Sequence, residues 1–159
     1  MSYPPPIYHG ESGEVSARVV RAGSEPAVVY PNGNKVFYLA KGTQTSGTFG
    51  LYRWEFAGPQ SGPGAHFHRT ITESFYVLEG TVTIFDGTTW GKCHAGDFAH
   101  VPAGGIHGFR NEDGAASMLL HFAPGAPREA YFEGLAEGIG GFDEDQYTAF
   151  MREHDNHWL

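Results

Sequence analysis

At 159 residues the chain is long enough for one domain with a real core and short for two. Its net charge of -8 comes with only ten Lys plus Arg and no basic cluster, which argues against a nucleic-acid partner. The single cysteine, Cys93, excludes an intrachain disulfide, no run reaches the roughly 18 to 20 apolar residues that span a bilayer, and MSYPPPIYHG lacks the pattern of an export signal, so a cytoplasmic protein is expected.

The composition favours short strands: aromatic residues make up 14%, with 23 Gly and 10 Pro to punctuate them. Residues 1–29 read as an N-terminal arm in which Val15 to Val20 forms an edge strand. Between 30 and 123, strand-like runs follow at Val36–Ala40, Thr48–Ala57, His66–His68, Ser74–Leu78, Thr81–Phe85, Asp97–Val101, Ile106–Arg110 and Ser117–Phe122. Glu79-Gly80 and Asp86-Gly87 are turn signals between consecutive runs. Eight short strands suit a sandwich or a jelly-roll barrel, so the body is predicted to be all-β. Residues 124–159 read as a helical C-terminal extension. Tyr131, Leu135 and Ile139 recur at helical spacing after Pro127 until Gly140-Gly141, and a second helix starts at Asp143 with Gln146 as its capping partner.

The chemistry concentrates in GAHFHRTITESFYVLEG, residues 64–80. On a strand, His66 and His68 point to the same face, and Glu73 shares a face with Phe75 and Val77 on the next run. If those strands are neighbours, two imidazoles and a carboxylate converge from a rigid sheet as a metal site. A fourth donor, His107, follows the stiff Pro-Ala-Gly-Gly turn of GDFAHVPAGGIHGFRN, residues 96–111.

These two stretches resemble the paired signature motifs of the cupin superfamily. His66, His68, Glu73 and Gly80 stand at the spacing of the first motif, and Gly96, Pro102, Gly104, His107 and Asn111 match the second in full. One element departs: Gln60 stands where the first motif has its leading glycine, with Gly58, Gly62 and Gly64 close by. The resemblance implies a single-domain cupin, a jelly-roll β-barrel with His66, His68, Glu73 and His107 as metal ligands on its inner wall, and a homodimer. The donor set suits one divalent transition metal per chain, Fe, Mn, Ni, Co, Cu or Zn, without choosing among them.

Alternation along the strands adds Tyr52, Trp54, Phe75 and Phe109 as an aromatic substrate pocket, while Arg53 and Arg110 face the other way. The chain looks most like bacterial quercetinase-like cupins. That likeness implies a metal-dependent dioxygenase that cleaves a small aromatic or enolisable, flavonol-like substrate with O2, Glu73 accepting the substrate's proton. A redox-neutral isomerase or polyketide cyclase on the same site, and a non-catalytic cupin that binds a small ligand or metal, are the alternatives. Elsewhere, Cys93 is expected to be an inert thiol in a turn, His100 and His121 ordinary hydrogen-bonded residues, and His154 and His157 part of a solvated tail.

Overall fold

The computed structural model describes residues 2–112 and 114–159. Residues 2–25 contain no strand, and Val15 and Val19 are exposed, so the edge strand expected at Val15 to Val20 does not form. Without a neighbouring ladder, a Gly- and Pro-bearing segment has no backbone partners to make it one.

The strands begin at β1 (Val28–Val29), β2 (Lys35–Ala40) and β3 (Gly50–Phe56), followed by the short β4 (His66–Phe67). Next come β5 (Thr72–Glu79), β6 (Thr81–Phe85), β7 (Trp90–His94), β8 (Phe98–Val101), β9 (Gly108–Asn111) and β10 (Ala116–Ala123). Helices α1 (Arg128–Glu137) and α2 (Glu144–Glu153) precede a last strand, β11 (His157–Trp158). Alternation of inward and outward side chains is clearest in β3. β3 buries Gly50, Tyr52, Trp54 and Phe56 and turns Leu51, Arg53 and Glu55 outward. β7 was not legible because Trp-Gly-Lys-Cys-His has no such alternation, and Cys93 sits in this strand rather than in a turn.

Six strands pair antiparallel in the order β1-β2-β3-β10-β5-β8, three in the order β7-β6-β9, and β11 pairs with β4. The all-β, closed jelly-roll barrel expected from the sequence is therefore corrected: this is a mixed α/β, cupin-like fold with two C-terminal helices, and its sheets do not close. Closure requires a continuous ladder. Here segments that cross between sheets, 58–64 and 102–105, carry Gly and Pro, and among the described residues one isolated bridge, His66 to His107, joins β4 to the approach of β9.

One core fills the space between the sheets. Tyr52, Leu120 and Phe75 stand side by side across β3, β10 and β5, and the Phe75 ring meets Phe109 of β9 at 5.3 Å. Tyr131 and Phe132 of α1 and Met151 of α2 join the same cluster. Burial of this aromatic and aliphatic surface is the main stabilising term, at about 1.5 to 3 kcal/mol for each large side chain fully removed from water. Helix α1 is fastened to the sheet by three phenols: Tyr30 donates to the Phe132 carbonyl, Tyr38 to Glu133 and Tyr52 to Glu129. The start of α2 is the capping box expected at Asp143 and Gln146, each side chain bonding the other's backbone N–H. Helix α1 stops at Gly138, earlier than expected, and Ile139 falls in a short 3-10 turn beyond it.

The C-terminal segment is not a solvated tail. Its last residues form β11 on β4, Asn156 is buried, and His157 stacks on Phe67 with ring centroids 5.1 Å apart. The two helices return the chain to the sheet, and backbone pairing with β4 satisfies groups that would otherwise face water. No helix among the described residues is long and apolar enough to cross a membrane.

Candidate metal centre

Strand β4, the approach to β9 and the start of β5 bring the donors together. His66 and His107 face each other across their isolated bridge, each backbone N–H donating to the other's carbonyl at 2.9 and 2.8 Å. The Pro-Ala-Gly-Gly turn is fastened to the same place, because the Gly104 N–H donates to the His68 carbonyl at 2.7 Å. Glu73 enters from β5, opposite Phe122 of β10 and Val101 of β8. All four side chains are buried, and one ligand atom from each of His66, His68, Glu73 and His107 lies within 4.8 Å of every other.

The outer nitrogens of the three imidazoles are all committed. Nδ1 lies 2.9 Å from the Gly64 carbonyl in His66, 2.9 Å from the Gly105 carbonyl in His107, and 2.7 Å from the Asp155 carbonyl in His68. A carbonyl can only accept, so each Nδ1 carries the proton and each Nε2 is left to face inward. Nε2 of His68 and of His107 lie 3.0 and 2.9 Å from the same Glu73 oxygen, Oε2. Three inward nitrogens and one carboxylate fit a single divalent transition metal, and burying them without a cation would be costly.

The electrostatics agree with that fit. Burial, and then the neighbouring His107, pull His66 down to about 4, so its imidazole is neutral near pH 7. Burial alone would raise Glu73, but the hydrogen bonds from His107 and His68 outweigh it and hold the carboxyl well below its usual range. The same contact raises His107 although burial opposes it.

Beside the donors lies a cavity of about 50 Å³. His66, Glu73, Trp54 and Phe109 line it, together with Phe122, Arg128, Tyr131, Phe132 and Asn156. Of the four aromatic residues proposed for a pocket, Trp54 and Phe109 reach this wall, whereas Tyr52 and Phe75 are buried behind it. Arg53 and Arg110 turn away onto the rings of Phe37 and Trp90. His100 shares a hydrogen bond with Ser74 at 3.0 Å beside Phe98, which is 64% exposed on the outer face, and His121 stacks on Phe49.

The C-terminal segment supplies what the motifs do not. Besides its carbonyl on His68, Asp155 accepts from the backbone of Arg69 and Thr70 and from the Thr70 hydroxyl, and Trp158 packs on His66 with ring centroids 5.1 Å apart. Arg128 is only 5% exposed. It occupies the first place of an i, i+3, i+4, i+7 stripe completed by Tyr131, Phe132 and Leu135, and a cation on such an apolar stripe was the available sequence signal. Its guanidinium lies over the Tyr131 and Phe122 rings at 4.4 and 5.0 Å. Burial pushes the Tyr131 phenol up to about 12, so that ring stays neutral.

Asn111 holds the glycine-rich segment where the first motif departs from the family pattern. Its side chain donates to the carbonyls of Gly58, Pro59 and Gly114 and accepts from the Ser61 N–H. At Gly62, φ is 147° and a Cβ would collide with the Phe109 carbonyl, so glycine is required two residues beyond Gln60.

Comparison with known proteins follows the same lines. Residues 52–123 match the family described as Cupin domain. Quercetin 2,3-dioxygenase of Bacillus subtilis (strain 168) is 34% identical over 76 residues, 48% of this chain and 22% of that protein, so the chain spans about a fifth of that relative's length. Among solved structures, KdgF from Halomonas sp. superposes with a TM-score of 0.57 at 15% identity, covering 66% of this chain and 92% of that one. The polyketide cyclase RemF from Streptomyces resistomycificus gives 0.55 at 23% identity, covering 67% and 78%. These two likenesses speak to the fold.

Proposed function

Given that the chain belongs to the cupin superfamily, we propose that it is a metal-dependent enzyme that oxygenates and cleaves a small enolisable substrate. The observation that carries the metal-dependent part is the convergence of three Nε2 atoms, each with its Nδ1 fixed on a carbonyl, on the Glu73 carboxylate. The local likeness to a quercetin dioxygenase supports the oxygenase part. His66, His68, Glu73 and His107 would hold one divalent transition metal, which when bound supplies a Lewis-acidic position for a substrate oxygen.

In this reading Glu73 also takes the substrate's proton. With their Nδ1 protons held by carbonyls, His68 and His107 would turn their Nε2 lone pairs to the metal instead of donating to Oε2, which leaves the Glu73 carboxylate as the proton acceptor. Trp54, Phe109, Phe122 and Phe132 exclude water from the reacting atoms. The cavity limits the substrate's size. At about 50 Å³ it favours a substrate much smaller than a three-ring flavonol. The flavonol expectation thus narrows to a smaller molecule with an acidic C–H or hydroxyl.

An oxygen electrode tests the proposal on protein loaded separately with each candidate metal, using small enolisable carbonyl compounds, with quercetin as the size control. Oxygen uptake matched to substrate loss is the expected result. Product formed equally well without oxygen would overturn the oxygenase and favour an isomerase or cyclase, and stoichiometric binding without turnover would leave a binding protein.

A further inference from the structure

The cavity wall contains more hydrogen-bond donors than the protein uses. Arg128 Nη1 donates to the His154 carbonyl at 2.6 Å and Nη2 to Asn156 Oδ1 at 3.2 Å, but its buried Nε has no partner. The Asn156 Nδ2 and Trp54 Nε1 groups are also buried and unpartnered, and both residues line the same cavity. The Arg128 contact fixes the orientation of the Asn156 amide, with oxygen toward the guanidinium and nitrogen left over. All three unsatisfied groups are donors.

Charge points the same way. Among the described residues Arg128 makes no ion pair, so a guanidinium that cannot lose its proton is held by aromatic rings and two neutral acceptors. Glu73, the carboxylate that shares the cavity with it, is committed to the imidazoles. Three neutral imidazoles, one carboxylate and a divalent ion would leave one positive charge, and Arg128, itself only 5% exposed, adds a second beside a mostly apolar cavity wall. A buried charge of this kind is costly until an anion joins it.

We infer that Arg128, with Asn156 and Trp54, forms an anion subsite that binds the carboxylate of a small substrate. This rests on the metalloenzyme reading only for the identity of the substrate's other contact. The cavity then takes a compact enolisable carboxylic acid of few non-hydrogen atoms: its carboxylate lies on Arg128 and its second oxygen on the side of His66 and Glu73. Arg128 is a substrate-binding residue in this assignment, and the C-terminal segment, through His154 and Asn156, sets its orientation.

Nitrogen-15 NMR on the full labelled chain tests it. The Arg128 Nε–H signal is identified by its proximity to the Tyr131 and Phe122 rings and followed during titration with sodium acetate. Acetamide serves as the neutral molecule of the same shape, and sodium chloride matches the ionic strength. The signal should move and saturate with acetate and stay in place with acetamide and chloride. Calorimetry should show Arg128→Lys binding acetate about tenfold more weakly, since lysine keeps the charge but not the planar fork. If that variant does not fold, the wild-type titration alone decides. An Arg128 signal that ignores acetate, or that follows acetamide or chloride equally, overturns the subsite.

Running the titration on metal-loaded and chelator-treated protein separates this result from the metal reading. A wild type that takes up no metal yet shows the acetate shift keeps the subsite and loses the metalloenzyme. A wild type that holds metal while its Arg128 signal is silent does the reverse.

Discussion

The two halves of the site are built by different means. The donors His66, His68, Glu73 and His107 come from strands and their turns within 42 residues of chain, whereas Arg128, Asp155, Asn156 and Trp158 reach the same place from the C-terminal segment. The first half sets which chemistry is available, and the second sets what can enter and how the imidazoles are aimed. Mutual pairing and carbonyls two residues away, of Gly64 and Gly105, orient His66 and His107, but His68 depends on a carbonyl 87 positions later. Rigidity in this site is therefore local for two of the imidazoles and borrowed for the third.

Four variants would sharpen or break that division. The largest effect is expected from replacing His66 and His107 together by alanine. Bound metal, measured by inductively coupled plasma mass spectrometry, should fall from one ion per chain to none, while circular dichroism stays native. Retention of metal would place the centre elsewhere. Asn111→Ala attacks the strand half without touching a donor. It orphans the Ser61 N–H and three carbonyls around a fully buried side chain, and should cost about 3 kcal/mol in urea unfolding.

Asp155→Asn tests the borrowed half, with an expected loss of about 1 kcal/mol, because the amide tolerates the left-handed backbone there (φ 57°) but accepts fewer strong hydrogen bonds. Burial works against ionisation of Asp155, yet the Arg69 and Thr70 donors outweigh it and hold its carboxyl below the usual range. A depressed folded value means that its stabilisation is present above the ordinary carboxylate value of about 3.9 and is lost as pH falls below it. The wild type should thus lose its Tm advantage over Asp155→Asn on acidification, and a gap independent of pH would remove the carboxylate from the account. The smallest effect belongs to Gln146→Ala, where loss of half a capping box should lower Tm slightly and cost about 0.5 to 1 kcal/mol.

The same division explains what the sequence made legible. His66, His68 and Glu73 could be read because a strand has a period of two, and Asp143 with Gln146 because a capping box is complete within four residues. The failure of the sheets to close could not be read, since strand patterns state which side chains face inward and not which strands pair. The docked C-terminus was hidden for a related reason. His154, Asp155, Asn156 and His157 look solvated until Arg69, Thr70 and Arg128 are placed against them, and those contacts span 26 to 86 residues. Arg128 itself left a trace, a charge on an apolar stripe, that its position at a helix start made easy to dismiss.

Two of the three tryptophans stand against this centre, Trp158 on the His66 ring and Trp54 in the cavity wall, while Trp90 lies apart on β7 beneath Arg110. Indole emission is extinguished at short range by open-shell ions and survives beside closed-shell zinc. The protein accordingly contains its own optical reporter, and one fluorescence titration would sort the metals it accepts into open-shell and closed-shell ions before any substrate is known.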